Sequence, residues 1–178
     1  TLIASEGGIP LLIAMLSDHH EIHRDAAGAL WSLSADADNR KLVADAGGIP
    51  LLVELIKYGA KNVSAQETAA GALQVLGQRS ENRDIIADAG GIGCLVPLFD
   101  GGSVETKELV ASALLTLAIE NASNQFNIAN KLVGMLANGP TDAGEALTAA
   151  QQQRVEAQEH ATRLLYTMSM DRENRDAL

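Results

Sequence analysis

The tetrapeptide Gly7-Gly8-Ile9-Pro10 returns as Gly47-Gly48-Ile49-Pro50, and Gly90-Gly91-Ile92-Gly93 follows it. The offsets are 40 (47 − 7) and 43 (90 − 47) residues. A unit of that length, repeated in phase, has too little apolar surface to close a core alone, so it stacks on its neighbours. A single stack is therefore expected, with units at 1–38, 39–81, 82–123 and 124–173, and with 174–178 opening the next. Both ends read as the inside of a longer array. Leu2-Ile3-Ala4-Ser5-Glu6 aligns at offset 40 with Leu42-Val43-Ala44-Asp45-Ala46, and Glu173-Asn174-Arg175-Asp176 repeats Glu81-Asn82-Arg83-Asp84 at offset 92 (174 − 82). Neither end carries the polar outer face of a terminal cap, so an interior slice, or the ordered part, of a longer array is expected.

Punctuation divides each unit into three helices. Asn39 and Asn82 are expected as N-caps of a short first helix, their side-chain oxygens accepting from orphan amides. The first glycine of each pair can end that helix in the left-handed conformation without Cβ strain. Pro10 and Pro50 then fall in the first turn of a second helix, where a missing N–H costs nothing. Leu11, Leu12, Met15 and Leu16, and then Leu51, Leu52, Leu55 and Ile56, share one face of that helix and are expected to pack inward. A longer third helix follows, with Ala26, Ala27, Ala29, Leu30 and Leu33 in one unit and Ala69, Ala70, Ala72, Leu73 and Leu76 in the next.

The later units depart from this plan. Pro97 falls where its predecessor has Glu54, inside the second helix, so that helix should start late or kink. In the fourth unit Asn130-Lys131-Leu132 replaces the glycine pair, which predicts that the first two helices merge. About a dozen extra residues precede its third helix. Asn138-Gly139-Pro140 is a breaker, and Asp142-x-x-Glu145 resembles a capping box. As helix, the insertion would project by about 18 Å, and as loop it would lie on the surface, so 138–152 stays open between the two.

Hydrophobic residues make up 47% of the chain but aromatics only 3%, so the core must come from Ala, Leu, Ile and Val, which suits closely packed helices. The longest uncharged apolar run, 89–99, is too short to cross a bilayer, and no basic-then-apolar signal opens the chain. No membrane insertion is expected. A formal charge of −10 argues against nucleic acid, whose binding needs clustered Lys and Arg, and favours basic protein partners. Cys94, with no second cysteine to pair with, fits a reducing compartment, cytoplasmic or nuclear. The Asn62 and Asn121 sequons carry no weight in such a chain.

No catalytic set emerges. His19 and His23 are four apart beside Glu21, yet no third metal ligand is evident, and exposed polar residues at a helix start account for them. Asp36-Ala37-Asp38-Asn39 lacks the Gly and terminal Glu of a calcium loop. Gly90–Gly93 follows no strand and recurs as helix punctuation, so it is not a phosphate loop. Cys94 sits in an apolar run without a base and reads as a buried structural thiol. No cofactor and no metal are expected.

The recurring Gly-Gly-Ile-Pro-Leu-Leu and Ala-Ala-Gly-Ala-Leu, with Trp-Ser-Leu-Ser in the first unit, resemble armadillo repeats, as in β-catenin, importin-α and plant U-box ubiquitin ligases. HEAT repeats lack the short first helix with its Gly-Gly ending. The resemblance implies an all-α, right-handed α-solenoid of about four repeats, whose third helices line a concave groove for extended peptides or partner chains. Importin-α grips basic signals with a Trp and an Asn on each third helix. Carried over, the Trp positions are Gly28, Gly71, Ser112 and Arg163, and the Asn positions are Ser32, Val75, Thr116 and Thr167; none matches. Recognition by that pair is not expected here. Trp31 is out of phase with those positions, so a packing role between repeats is expected of it.

The first turns of successive third helices carry Glu21, then Glu67, then Glu105 and Glu108, then Glu156 and Glu159. Aligned positions stack in a solenoid, so these carboxylates should form a column along one rim and attract Lys- or Arg-rich segments. Acids also favour helix N-termini through the dipole, which accounts for the same pattern without a partner. Arg24 and Arg163 interrupt the column and could receive acidic side chains. Together with Gly28, Ser32, Gly71, Val75, Gln78, Ser112, Thr116 and Thr167, these residues make the expected partner-binding groove. The leading reading is a non-enzymatic scaffold or adaptor for other proteins. A substrate-binding region of a larger ubiquitin ligase and a structural subunit of a ciliary or organellar assembly are the alternatives, and the oligomeric state is left open.

Overall fold

Each glycine pair turns the chain between two helices, and its two members act differently. The computed structural model describes residues 2–18, 22–58, 62–137 and 149–170. Helices α1 (Leu2–Ser5), α2 (Gly8–Asp18) and α3 (His23–Leu33) form the first unit, and α4 (Ala37–Asp45), α5 (Gly48–Tyr58) and α6 (Val63–Leu76) the second. The third holds α7 (Ser80–Asp88), α8 (Gly91–Leu95), α9 (Leu98–Gly101) and α10 (Val104–Ala118), and the fourth α11 (Ala122–Ala137) and α12 (Ala149–Met170). No strand occurs among the described residues, and the fold is an all-α solenoid. Gly7, Gly47 and Gly90 have φ of 80°, 78° and 87°, the left-handed stop that the sequence predicts. The second glycine is required for closeness instead. A Cβ on Gly91 would lie 2.5 Å from Ile86 Cγ2 and 2.7 Å from the Ile86 carbonyl oxygen, and one on Gly8 would meet Ile3 at the same distances.

The asparagines are not the caps expected of them. Asp36 caps α4, accepting from the backbone N–H groups of Asp38 and Asn39. Those two donors hold the Asp36 carboxyl below its ordinary pKa, the Asn39 N–H most of all. Asn39 and Asn82 sit one turn further in, buried, and donate backwards. Asn39 Nδ2 reaches the Leu33 carbonyl at 2.9 Å, Asn82 Nδ2 the Leu76 carbonyl at 3.0 Å, and Asn124 Nδ2 the Leu117 carbonyl at 3.0 Å. Each therefore satisfies the last turn of the preceding third helix, whose carbonyls have no intrahelical donor. The next residue does likewise. Arg40 donates to Ser34 and Ala35 carbonyls, Arg83 to those of Gly77 (3.0 Å) and Ile119 (2.6 Å), and Gln125 to that of Ala118 (2.7 Å). Asn82 Nδ2 also reaches the Arg40 carbonyl at 3.3 Å, and Asn124 Nδ2 that of Arg83 at 3.5 Å. A polar ladder thus ties unit to unit.

The second helices bury Ile9, Ile13 and Leu16 in α2, and Ile49, Leu52, Val53 and Ile56 in α5. Leu11 and Met15 do not pack inward as expected; they are 65% and 41% exposed. Their counterparts Leu51 and Leu55 line a crevice with Leu16, Ser17 and His23 of the preceding unit. Pro97 breaks the third unit's second helix into α8 and α9, standing as N-cap of α9 because it cannot continue the ladder of amide donors. The fourth unit's first two helices merge into the 16-residue α11, as the missing glycine pair predicts. Residues 138–148, with the breaker and the capping-box resemblance, lie outside the described residues, as do Glu21, His19 and 171–178. At an offset of 51 (156 − 105), α12 begins six residues before the counterpart of Val104, a projection of about 9 Å.

The third helices form the spine. Ala26, Ala27, Ala69, Ala70, Ala72 and Ala113 are buried and let these helices approach closely, while Leu30, Leu73, Leu76, Leu114 and Leu117 fill the layer beneath.

Candidate functional site

Because α3 packs on α6, α6 on α10 and α10 on α12, the side chains they turn away from the core form one continuous strip. Its charge is set mainly at their N-terminal ends. Ser103 caps α10, accepting from the Thr106 N–H at 3.2 Å, and so exposes Glu105 and Glu108 on the first turns. The Glu105 carboxyl is held below its ordinary pKa by its own backbone N–H and by the Ser103 hydroxyl. It therefore stays ionised well below neutral pH.

Two other carboxylates of the predicted column are occupied by the neighbouring unit. The Thr106 hydroxyl donates to Glu67 Oε1. Glu156 Oε2 accepts from Lys107 Nζ at 3.1 Å, with the Lys107 side chain only 2% exposed. Adjacent residues of α10 thus reach in opposite directions, one to α6 and one to α12. Glu156 also lies where His160 approaches, its ring Nδ1 2.9 Å from the Glu156 carbonyl and its ring 6.4 Å from that of Phe99. Nothing in the sequence spacing marked Thr106 or Lys107; the signal was only their position one turn into a third helix.

The remaining predicted residues fall into open and covered sets. Arg24, Ser32, Gln78, Ser112, Glu159, Arg163 and Thr167 are exposed. Arg24 lies 3.3 Å from its neighbour Asp25 on the surface. Glu159 and Arg163 edge an open depression of about 680 Å³ with Leu136, Val155 and Tyr166. Thr116 and Thr167 turn their hydroxyls onto their own helices, donating to the carbonyls of Ser112 and Arg163, both at 2.9 Å. Thr116 is buried and Val75 half-buried. Gly28 faces Thr68, whose Cγ2 would lie 3.6 Å from an added Cβ. Gly71 is buried under the Trp31 indole, where a Cβ would sit 2.6 Å from Cζ2. Trp31 therefore packs across the interface of two units while keeping 37% of its surface exposed on the strip.

The chemistry of this surface is electrostatic and steric. Cys94 is buried with Sγ 3.1 Å from the Gly91 carbonyl, and burial pushes its thiol up to about 11. Among the described residues no three His, Cys, Asp or Glu side chains converge as metal ligands, and no helix is long and apolar enough to cross a membrane.

Comparison with known proteins agrees with this geometry. The model of the Armadillo/beta-catenin-like repeat matches residues 1–35 and 36–76. Splicing regulator ARVCF of Rattus norvegicus is 48% identical over 59 residues, which are 31% of this chain and 6% of that protein. Catenin delta-2 of Homo sapiens is 45% identical over 60 residues, 31% of this chain and 5% of that protein. The chain thus spans only a small fraction of the curated relatives it matches. Among solved structures, a designed armadillo repeat protein in complex with the peptide (KR)4 superimposes with a TM-score of 0.67 at 19% identity, covering 98% of this chain and 80% of that one. An engineered protein, structural-genomics target OR366, gives 0.68 at 24% identity, over 99% and 80%. The repeat signature covers the first two units, and the helical stacking carried through α12 has the fold of an armadillo-repeat solenoid.

Proposed function

We propose that the chain is a non-enzymatic scaffold that holds extended segments of partner proteins along its third helices, and that basic segments are preferred. The observation that carries this reading is the exposure of Glu105, Glu108 and Glu159 on adjoining third helices, in a chain of net charge −10. An exposed ion pair contributes only about 0.2–1 kcal/mol, so affinity must come from several pairs arranged at the spacing of an extended peptide. Such a field also steers the encounter, which makes association faster at low salt. The half-exposed Trp31 offers an apolar contact and a face for a cation further along the strip. The designed armadillo repeat protein solved with (KR)4 supports the choice of basic ligand by analogy of fold alone. Glu67 and Glu156, tied to Thr106 and Lys107, are assigned to holding the units together. The buried thiol suits a reducing compartment, cytoplasmic or nuclear.

A crosslinking pull-down from the native source tests this, run with the chain and with the triple variant Glu105→Gln, Glu108→Gln, Glu159→Gln. A discrete, salt-sensitive partner captured by the first and lost with the second is the expected result. The same partners on both baits would return these acids to the role of helix-start residues.

A further inference from the structure

The break that Pro97 makes in the third unit's second helix leaves a hollow beside the strip. Between the start of α6 and the turn from α9 to α10 lies a pocket of about 170 Å³ whose apolar walls include Val63, Pro97 and Leu98. Val63 is 55% exposed and Pro97 is exposed, so the pocket opens to solvent. Gly102 brings the turn close to α10, where an added Cβ would lie 2.7 Å from the Leu98 carbonyl oxygen and from Thr106 Cβ. The polar side chains that line the pocket are engaged inside the fold. Gln66 Nε2 donates to the Ile56 carbonyl at 2.6 Å, and the Thr106 hydroxyl donates to Glu67 Oε1. What the pocket offers an incoming group is therefore apolar contact.

Size and place define the occupant. An apolar cavity of about 150 Å³ holds a benzene ring, so 170 Å³ takes one side chain of leucine size. Thr106, which lines the pocket, is the chain neighbour of the exposed Glu105, so the pocket stands on the acidic rim between α6 and α10. A segment laid along that rim with Lys or Arg opposite Glu105 and Glu108 carries an adjoining residue past the pocket mouth. We propose that the pocket is a side-chain subsite of the strip, which takes one leucine-sized aliphatic residue next to the basic residues of a bound segment. The proposal rests on the strip binding basic segments, and it adds a position at which the partner is apolar. Helices α2 and α5 run unbroken through the residues that correspond to Pro97, Ala14 and Glu54, so the subsite marks one register along a repeating surface.

Peptides of the (Lys-Arg)4 pattern test it by fluorescence anisotropy at low salt, with each position in turn replaced by Leu and, in a second set, by Ala. At one position Leu should bind about tenfold more tightly than Ala, the gain from enclosing part of one such side chain. Val63→Trp, which fills the mouth, and Val63→Ser, which removes a wall, should each cut that gain below about threefold while leaving the Ala peptides within about twofold. Both changes fall at the exposed first residue of α6, and circular dichroism checks the fold of each; should one fail to fold, the other carries the measurement. Binding of the basic peptides with no position at which Leu exceeds Ala overturns the subsite alone. A Leu gain that persists in the folded variants also overturns it, because the side chain is then held elsewhere. So does a preference for Lys over Leu that Val63→Trp removes, since the pocket would then receive a cation beside Glu67. No binding by any peptide at low salt overturns the reading of the strip, and the subsite with it.

Discussion

Replacing Asn82 probes the polar ladder at the point where it joins two units. Its side chain is 1% exposed and donates to the carbonyls of Leu76 and Arg40. Asn82→Ala removes both donors but does not orphan Leu76, whose carbonyl still accepts from the Arg79 N–H at 3.2 Å. At about 1 kcal/mol net per hydrogen bond the loss is about 2 kcal/mol. For a chain of this length that corresponds to a fall in Tm of about 4–8 °C. Asn82→Asp is nearly isosteric yet should be worse, since it places a carboxylate against two carbonyl acceptors, at a cost above about 3 kcal/mol. The introduced carboxyl would hold its proton more tightly folded than unfolded. Its penalty is therefore small below the unfolded carboxyl pKa of about 3.9 and grows as pH rises. Urea unfolding followed by circular dichroism at pH 4 and pH 7, with hydrogen exchange reporting on α4 and α7, reads both effects. Asn82→Ala within about 0.3 kcal/mol of the parent chain, or Asn82→Asp no worse than Asn82→Ala at pH 7, would refute the ladder as a source of stability.

Gly91→Ala forces a Cβ against Ile86 side chain and backbone and should cost about 2–3 kcal/mol, whereas Gly93→Ala, whose nearest neighbour is Lys131 Nζ at 3.7 Å, should gain about 0.5–1 kcal/mol in thermal melts. Glu156→Gln leaves the buried Lys107 ammonium without its carboxylate and should destabilise by about 2 kcal/mol in urea, the 44% exposure of Glu156 limiting the loss. Lys107→Met should cost less than about 1 kcal/mol, because it removes the charge together with its desolvation. Cys94, with a thiol pKa pushed up to about 11, should react with Ellman's reagent at pH 8 about two hundredfold more slowly than free cysteine, from thiolate fraction alone, and should still be accelerating between pH 9 and 10.

The stacking was legible because its cause is local. Glycine pairs, a proline in the first turn and alanine-rich third helices each dictate backbone or packing within one unit, and the break at Pro97 and the merged α11 followed from the same rules. What the sequence hid was the direction of side chains across units. Asn39 and Asn82 have the chemistry of caps, but Asp36 lies closer to the start of α4, and the asparagines turn back to the last carbonyls of the preceding third helix. Leu11 and Met15 fit an inward stripe, but that stripe also serves contacts between units, which periodicity within one helix does not separate. Of the acidic column, Glu67 and Glu156 could be distinguished from Glu105, Glu108 and Glu159 only once Thr106 and Lys107 were placed beside them.

Binding of a labelled (Lys-Arg)4 peptide, followed by fluorescence anisotropy at low and at physiological salt, tests the central claim most directly. The account predicts saturable binding that weakens as salt rises, and that falls at least tenfold in the triple variant of Glu105, Glu108 and Glu159 to Gln, while the double variant of Glu67 and Glu156 to Gln loses stability more than affinity at temperatures where it is folded. No saturable binding at low salt, or equal affinity in the parent chain and the triple variant, would contradict it.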